Sequence, residues 1–195
     1  MIGSAWTENG VDEQGDVHAA IIDRQSSETA ENAGVRGFDG NKKINGRKRD
    51  FLVDTLGLLL KVVVHPAGLA DRQGGRLLIE AVKGQLPTLQ KIRADRGYTG
   101  EFKRWASHEL NVDLEVVDPW WRQLKRYAPD ILEAQGIDPE AFHVVLPRRW
   151  VVERSFAWMG RNRRLANDFE ALPETTETWC SLAMSRLVLR RLVAL

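Results

Sequence analysis

Two stretches decide the fold: His18-Ala-Ala-Ile21-Ile22-Asp23 and Leu89-Gln-Lys-Ile92-Arg-Ala94-Asp95. Each is a short apolar run closed by a carboxylate, the pattern of a buried strand whose last residue reaches a sheet edge. If the two strands are parallel neighbours, Asp23 and Asp95 fall side by side at the carboxyl edge, where open α/β sheets place their ligands. Further strands are expected over 49–54 and 58–65, joined by a tight turn at Thr55-Leu56-Gly57. Asp71 is a candidate N-cap for a helix through Leu77, Leu78, Ala81 and Val82, stopped by Gly84 and Pro87. Residues 101–110 fit an amphipathic helix, and 112–116 alternate as a fifth strand. Residues 150–165 and 174–192 are helical by spacing. The order predicts an α/β protein: a mixed five-stranded sheet with helices on both faces and an insertion, 118–145, before the helix that carries Glu153.

Composition narrows the class. The chain has 195 residues, 43% hydrophobic and 28% charged, which fits a soluble domain. No run approaches the roughly 18 apolar residues of a membrane span. The first residues lack a basic segment followed by an apolar one, so a secretory signal is not expected. Cys180 is the single cysteine, which excludes an internal disulfide and a cysteine-cluster zinc site. These readings place the protein in the cytoplasm, with no membrane partner. Residues 1–17 read as a flexible extension and 18–195 as one domain.

The net charge of +1 conceals an uneven distribution. Lys42, Lys43, Arg47, Lys48 and Arg49 follow an acidic N-terminal region with no acid among them. Arg148, Arg149, Arg154, Arg161, Arg163 and Arg164 surround Glu153 alone. Such blocks fit a polyanion, with Lys42 to Arg49 tracking phosphates; a solvated charged surface is the competing reading. Trp120 and Trp121 fit an insertion packed onto the core more simply than a base-stacking wedge. His18, His65, His108 and His143 lack metal-ligand spacing and read as structural. The last helix, with Leu182, Leu189 and Leu192 beside Arg186, Arg190 and Arg191, reads as a core cover with a basic face. There is no nucleotide-binding glycine loop.

Asp23 and Asp95 on strand ends and Glu153 on a covering helix would form an oxygen-rich pocket suited to magnesium or manganese. Paired ions of that kind activate an attacking oxygen and stabilise a leaving one at a phosphodiester. A lone aspartate at a strand end is more often a turn or cap, so the surrounding motifs matter. Those motifs are Ile22-Asp23-Arg-Gln25-Ser26, Arg36-Gly37-Phe38-Asp39-Gly40-Asn-Lys42-Lys43, Gly46-Arg47-Lys48-Arg49, Val53-Asp54-Thr55-Leu56-Gly57, Ala94-Asp95-Arg-Gly97-Tyr98 and Leu146-Pro147-Arg148-Arg149-Trp150-Val-Val-Glu153-Arg154-Ser-Phe156-Ala-Trp158. In this order they resemble the catalytic part of bacterial insertion-sequence transposases of the Asp-Asp-Glu (DDE) class.

The resemblance implies a ribonuclease-H-like fold and a catalytic, metal-binding triad of Asp23, Asp95 and Glu153 holding two Mg2+ or Mn2+ ions. It implies a DDE transposase that cuts DNA at element ends and transfers the 3′-hydroxyl end to target DNA, acting as a homo-oligomer on that DNA. Lys42, Lys43, Arg47, Lys48, Arg49, Arg148, Arg149, Arg161, Arg163 and Arg164 are then the expected DNA-binding residues. Arg149 and Glu153 match the Arg-x3-Glu part of a family signature whose tyrosine and lysine positions hold Leu146 and Gly160, with Arg161 one residue later. Arg24, Ser27, Glu28 and Asp50 also depart from the family pattern. On an uninterrupted helix, Arg149, Glu153, Ala157, Gly160 and Arg164 share one face. About 20 residues precede Asp23, too few for a helix-turn-helix module. Two readings follow: the partner of a separate helix-turn-helix reading-frame product, or a truncated remnant that only binds DNA or a partner transposase.

Overall fold

A computed structural model describes residues 17–31, 33–116 and 150–193. The expected insertion, Trp120, Trp121, His143, Arg148 and Arg149 lie outside the described residues, as does nearly all of the expected N-terminal extension. The order of strands and helices agrees with the α/β expectation. Strand β1 (Ala19–Glu28) runs antiparallel to β3 (Ile44–Asp54) and parallel to β5 (Lys91–Ala94), which in turn lies parallel to β6 (Asp113–Val116). On its other edge β3 pairs with β2 (Gly37–Asp39) near its start and with β4 (Leu59–Pro66) along the rest.

The sheet has six strands rather than five, because β2 forms within the glycine-rich stretch expected to be a loop. The Asp39 carboxylate builds that hairpin: it accepts the backbone N–H groups of Asn41 and Lys42 and the hydroxyl of Ser26 on β1. Burial opposes its charge, but these hydrogen bonds and nearby Lys48 outweigh burial and hold its pKa below the usual carboxylate range. Asp54 does the same work at the expected β3–β4 turn, its Oδ1 accepting from Leu56 and Leu58, with Gly57 at φ +79° completing the reversal.

Side-chain alternation divides the core in two. Ala20, Ile22, Leu52, Ile92 and Leu114 face helices α1 (Asp71–Val82) and α2 (Glu101–Leu110). Ile21, Phe51, Val53, Val62 and Val64 face α3 (Trp150–Gly160), the short α4 (Arg163–Ala166) and α5 (Pro173–Val193). α1 comes close to the sheet because Gly74 leaves no space for a Cβ beside Asp50 and His65. The helix expected over 150–165 breaks after Gly160, where the Asn162 amide donates to the carbonyls of Trp158 and Met159. Arg164 therefore lies on α4, and the single face from Arg149 to Arg164 does not form. Asp71 is the first helical residue and Ala70 the N-cap, because the Asp71 carboxylate is drawn to Lys48 and Arg24 instead.

Strand β3 is buried on both faces, and this corrects the reading of its basic run. Arg47 is fully buried and donates to the carbonyls of Val35, Glu170 and Ala171, with Asp168 at 3.2 Å. Lys48 reaches Asp71 at 3.0 Å and the Leu69 carbonyl on the opposite face. Arg49 donates to the Leu165 carbonyl beside Cys180. These three charges are held inside the fold. Lys42 and Lys43, at the tip of the β2–β3 hairpin, are exposed.

Three outcomes are expected. Asp168→Ala leaves the Arg47 guanidinium buried without its counter-charge and should lower unfolding free energy by about 3–5 kcal/mol in urea titration. Burial pushes the Cys180 thiol up to about 11. The folded state therefore disfavours its thiolate, and stability should fall as pH rises from the unfolded thiol value towards 11. Maleimide labelling of Cys180 in native protein should be slow at neutral pH and become complete only on unfolding.

Candidate functional site

The register of β1 and β5 brings the two aspartates to one place. The pairing of Ala19 with Lys91, Ala20 with Ile92 and Ile21 with Arg93, continued two residues further, sets Asp23 opposite Asp95. The sequence expectation treated Asp23 as a strand end. In the structure β1 continues to Glu28 along β3, so Asp23 sits mid-strand just where β5 leaves the sheet. Asp23 is 8% exposed, and its Oδ1 accepts the Arg24 N–H at 2.8 Å. Asp95 caps a short 3-10 turn (Arg96–Tyr98), with Oδ1 accepting the Gly97 N–H at 2.9 Å.

Glu153 reaches the same side of the sheet by a different route. Ile21 on β1 faces the α3–α5 layer, so Asp23, two residues on, shares that face. α3 seats there through Val151, Val152 and Met159. It is pinned to the β3–β4 turn by Ser155, which donates to the Gly57 carbonyl at 2.7 Å, and by Arg154, which donates to the Leu56 carbonyl. Arg154 also lies over the rings of both Trp150 and Trp158. With this register Glu153 occupies the first turn of α3 and is exposed.

Arg24, one of the positions that depart from the family pattern, lies among the carboxylates of this edge. Its guanidinium lies 2.7 Å from Asp71 and 3.9 Å from Asp95, over the Tyr98 ring, and Gly97 leaves it that space. Burial opposes its charge, yet Tyr98, Asp95, Asp71 and Asp50 together hold its proton more tightly than usual. A neighbouring Tyr98, fully buried, has its phenol pushed well above the ordinary value by burial. Among the described residues no three His, Cys, Asp or Glu side chains lie close enough together to hold a metal ion. Asp23 and Asp95 nevertheless fit a hard cation in donor chemistry, being adjacent carboxylates with oxygen donors only.

The other expected residues divide. Arg161 and Arg163 are exposed. Arg164 is bound to Glu170 at 2.6 Å and lies over the Trp179 ring. His65 is held by Asp50 at 3.0 Å and His18 by the Thr88 carbonyl, in keeping with structural roles. Among the described residues no helix is long and apolar enough to cross a membrane.

A mixed sheet sets two carboxylates at matching positions of parallel neighbouring strands, with helix α3 packed on the same face of the sheet. A family model described as "Transposase DDE domain" matches residues 18–188, and the chain belongs to that family. Among solved structures, the catalytic core domain of BIV integrase is similar at 14% identity and a TM-score of 0.46, covering 86% of this chain and 80% of that one. No curated protein matches the chain.

Because a cation at Asp95 must compete with the Arg24 guanidinium, Arg24→Ser should tighten Mn2+ binding by about tenfold or more. Titration of free Mn2+ by electron paramagnetic resonance reads this directly, and unchanged affinity would show that Arg24 does not compete.

Proposed function

We propose that this domain cuts DNA at the ends of an insertion element and joins the freed 3′-hydroxyl to target DNA by metal-dependent phosphoryl transfer. The observation that carries the reading is the family match over residues 18–188, together with the β1–β5 register that sets Asp23 beside Asp95. Asp23 and Asp95 would hold two Mg2+ or Mn2+ ions, with Glu153 from α3 completing the second. The ions supply activation of the attacking oxygen and charge stabilisation of the leaving one.

The chain's own residues have separate tasks in this reading. The Gly97 N–H fixes one Asp95 oxygen, which orients the carboxylate before any ligand arrives. Ser155 and Arg154 hold α3 against the β3–β4 turn and so set the position of Glu153. Lys42, Lys43, Arg161 and Arg163, all exposed, are the described members of the expected DNA-binding set that remain available to phosphates. Arg148 and Arg149 complete that set next to Glu153. DNA is the partner, with a second copy of the chain and a separate helix-turn-helix product as further ones.

One observation favours the second reading, a remnant that binds DNA or a partner transposase without cutting. Arg24 places a fixed positive charge 3.9 Å from Asp95, on the carboxylate a metal needs. Nicking of supercoiled plasmid carrying element ends, with Mg2+ or Mn2+, separates the two. The transposase reading expects nicked and strand-transfer products from the native chain and none from Asp95→Ala. Equal nicking by both proteins would overturn the site assignment. DNA binding without nicking, restored to nicking by Arg24→Ser, would identify the remnant.

A further inference from the structure

The end of α3, the turn after it and the adjoining side of α5 carry three arginines with no acid among them. Arg161, Arg186 and Arg190 line a concavity of about 270 Å3 between these elements, with Trp158, Asn162 and Leu187. Among the described residues no carboxylate lines it. All three arginines are exposed, and among the described residues none forms an ion pair or a side-chain hydrogen bond. The positive field extends beyond the concavity. Arg191 lies over the Trp158 ring at 4.6 Å, and burial together with Arg191 lowers the pKa of Arg154, which also lies over Trp158.

Two other arginines of this region are neutralised within the fold. Arg164 has Glu170, and Arg47 has Asp168. Helix C-termini favour cations, which accounts for Arg161 after α3 and Arg190 in the last turn of α5. That account does not reach Arg186, two turns before the end of α5 and beyond the range of the dipole effect. Like charges gathered without counter-ions repel one another unless an anion joins them. Guanidinium groups, with planar forked donors, suit phosphate oxygens in particular.

We propose that this concavity is a backbone-phosphate site for duplex DNA, separate from the carboxylates at the sheet edge. The inference rests on the reading of DNA as the substrate and adds a second grip to it. Arg161 follows Glu153 by eight residues, roughly 12 Å at the rise of an α-helix. That is about three to four base-pair steps along a duplex. That spacing is short enough for one duplex to span both.

The test uses the full 195-residue chain and a 30-base-pair duplex, without divalent metal, over a series of salt concentrations. Each phosphate contact contributes about 0.9 to the slope of log affinity against log salt on duplex DNA. Arg186→Gln/Arg190→Gln should flatten the slope by about 1.8, equally on unrelated sequences, with circular dichroism and melting temperature unchanged. Arg161→Gln should flatten it by about 0.9, so the site is examined even if the double variant folds poorly. Arg76→Gln, on α1 across the sheet and paired with Glu101, should leave the slope as it is. Native protein that binds DNA with a slope unaffected by the double and Arg161 variants overturns this site and leaves the proposed function standing. Native protein that does not bind duplex DNA overturns both. A parallel melt with inorganic phosphate against chloride at equal ionic strength distinguishes the source. Phosphate stabilisation lost in the double variant, with the DNA slope unchanged, would make this a free-phosphate pocket and overturn the DNA assignment.

Discussion

From Gly46 to Asp54 every residue of β3 is buried, yet the strand carries Arg47, Lys48, Arg49 and Asp50 in succession. A charge taken out of water needs a partner of good geometry, so this strand dictates what must surround it. Arg47 draws in Asp168 and the carbonyls of 170 and 171, which anchors the segment between α4 and α5. Arg49 takes the Leu165 carbonyl from α4. On the opposite face Lys48 takes Asp71 at the start of α1, and Asp50 takes His65 on β4. Both helical layers are thus tied to one strand through its charges as well as through Phe51, Leu52 and Val53.

This arrangement links the core to the candidate site. Asp71, which receives Lys48, also receives Arg24, and Arg24 stands between Asp71 and Asp95. The carboxylate edge is therefore the end of a chain of ion pairs that begins inside the sheet. A polar edge of this kind keeps Asp95 oriented, but it also sets an internal cation beside the carboxylate proposed to hold a metal. The two demands, stability of the strand and openness of the site, meet at one side chain.

The distribution of positive charge takes on a different meaning once the fold is known. The block at 41–49 and the block around Glu153 look alike as sequence, both rich in lysine or arginine and poor in acid. The fold turns most of the first inward, leaving Lys42 and Lys43 outside, and leaves Arg161 and Arg163 of the second outside. It then brings Arg186 and Arg190, from the far end of the chain, beside Arg161. This cationic surface is assembled from the turn after α3 and from α5, and not along one run.

The apolar runs ending at Asp23 and Asp95, and their order among strands and helices, were sufficient to expect a mixed sheet with these carboxylates adjacent. Period and apolar content determine which segments are buried, and segment order restricts how parallel strands can connect. The helices over 101–110 and 174–192 and the turn at Asp54 to Gly57 were legible for the same local reasons. What lay beyond reach was which face each charge would meet. Alternation along β3 sends Arg47 and Lys48 to opposite layers, and nothing within the strand says whether those layers are water or protein. The contribution of β2 depended on a carboxylate bonding across to Ser26, and the break in the helix after Gly160 on an amide folding back. The placement of Arg24 against Asp71 and Asp95 required strands β1 and β5 and helix α1 to come together, since a salt bridge between residues so far apart in the chain exists only when tertiary packing supplies the distance.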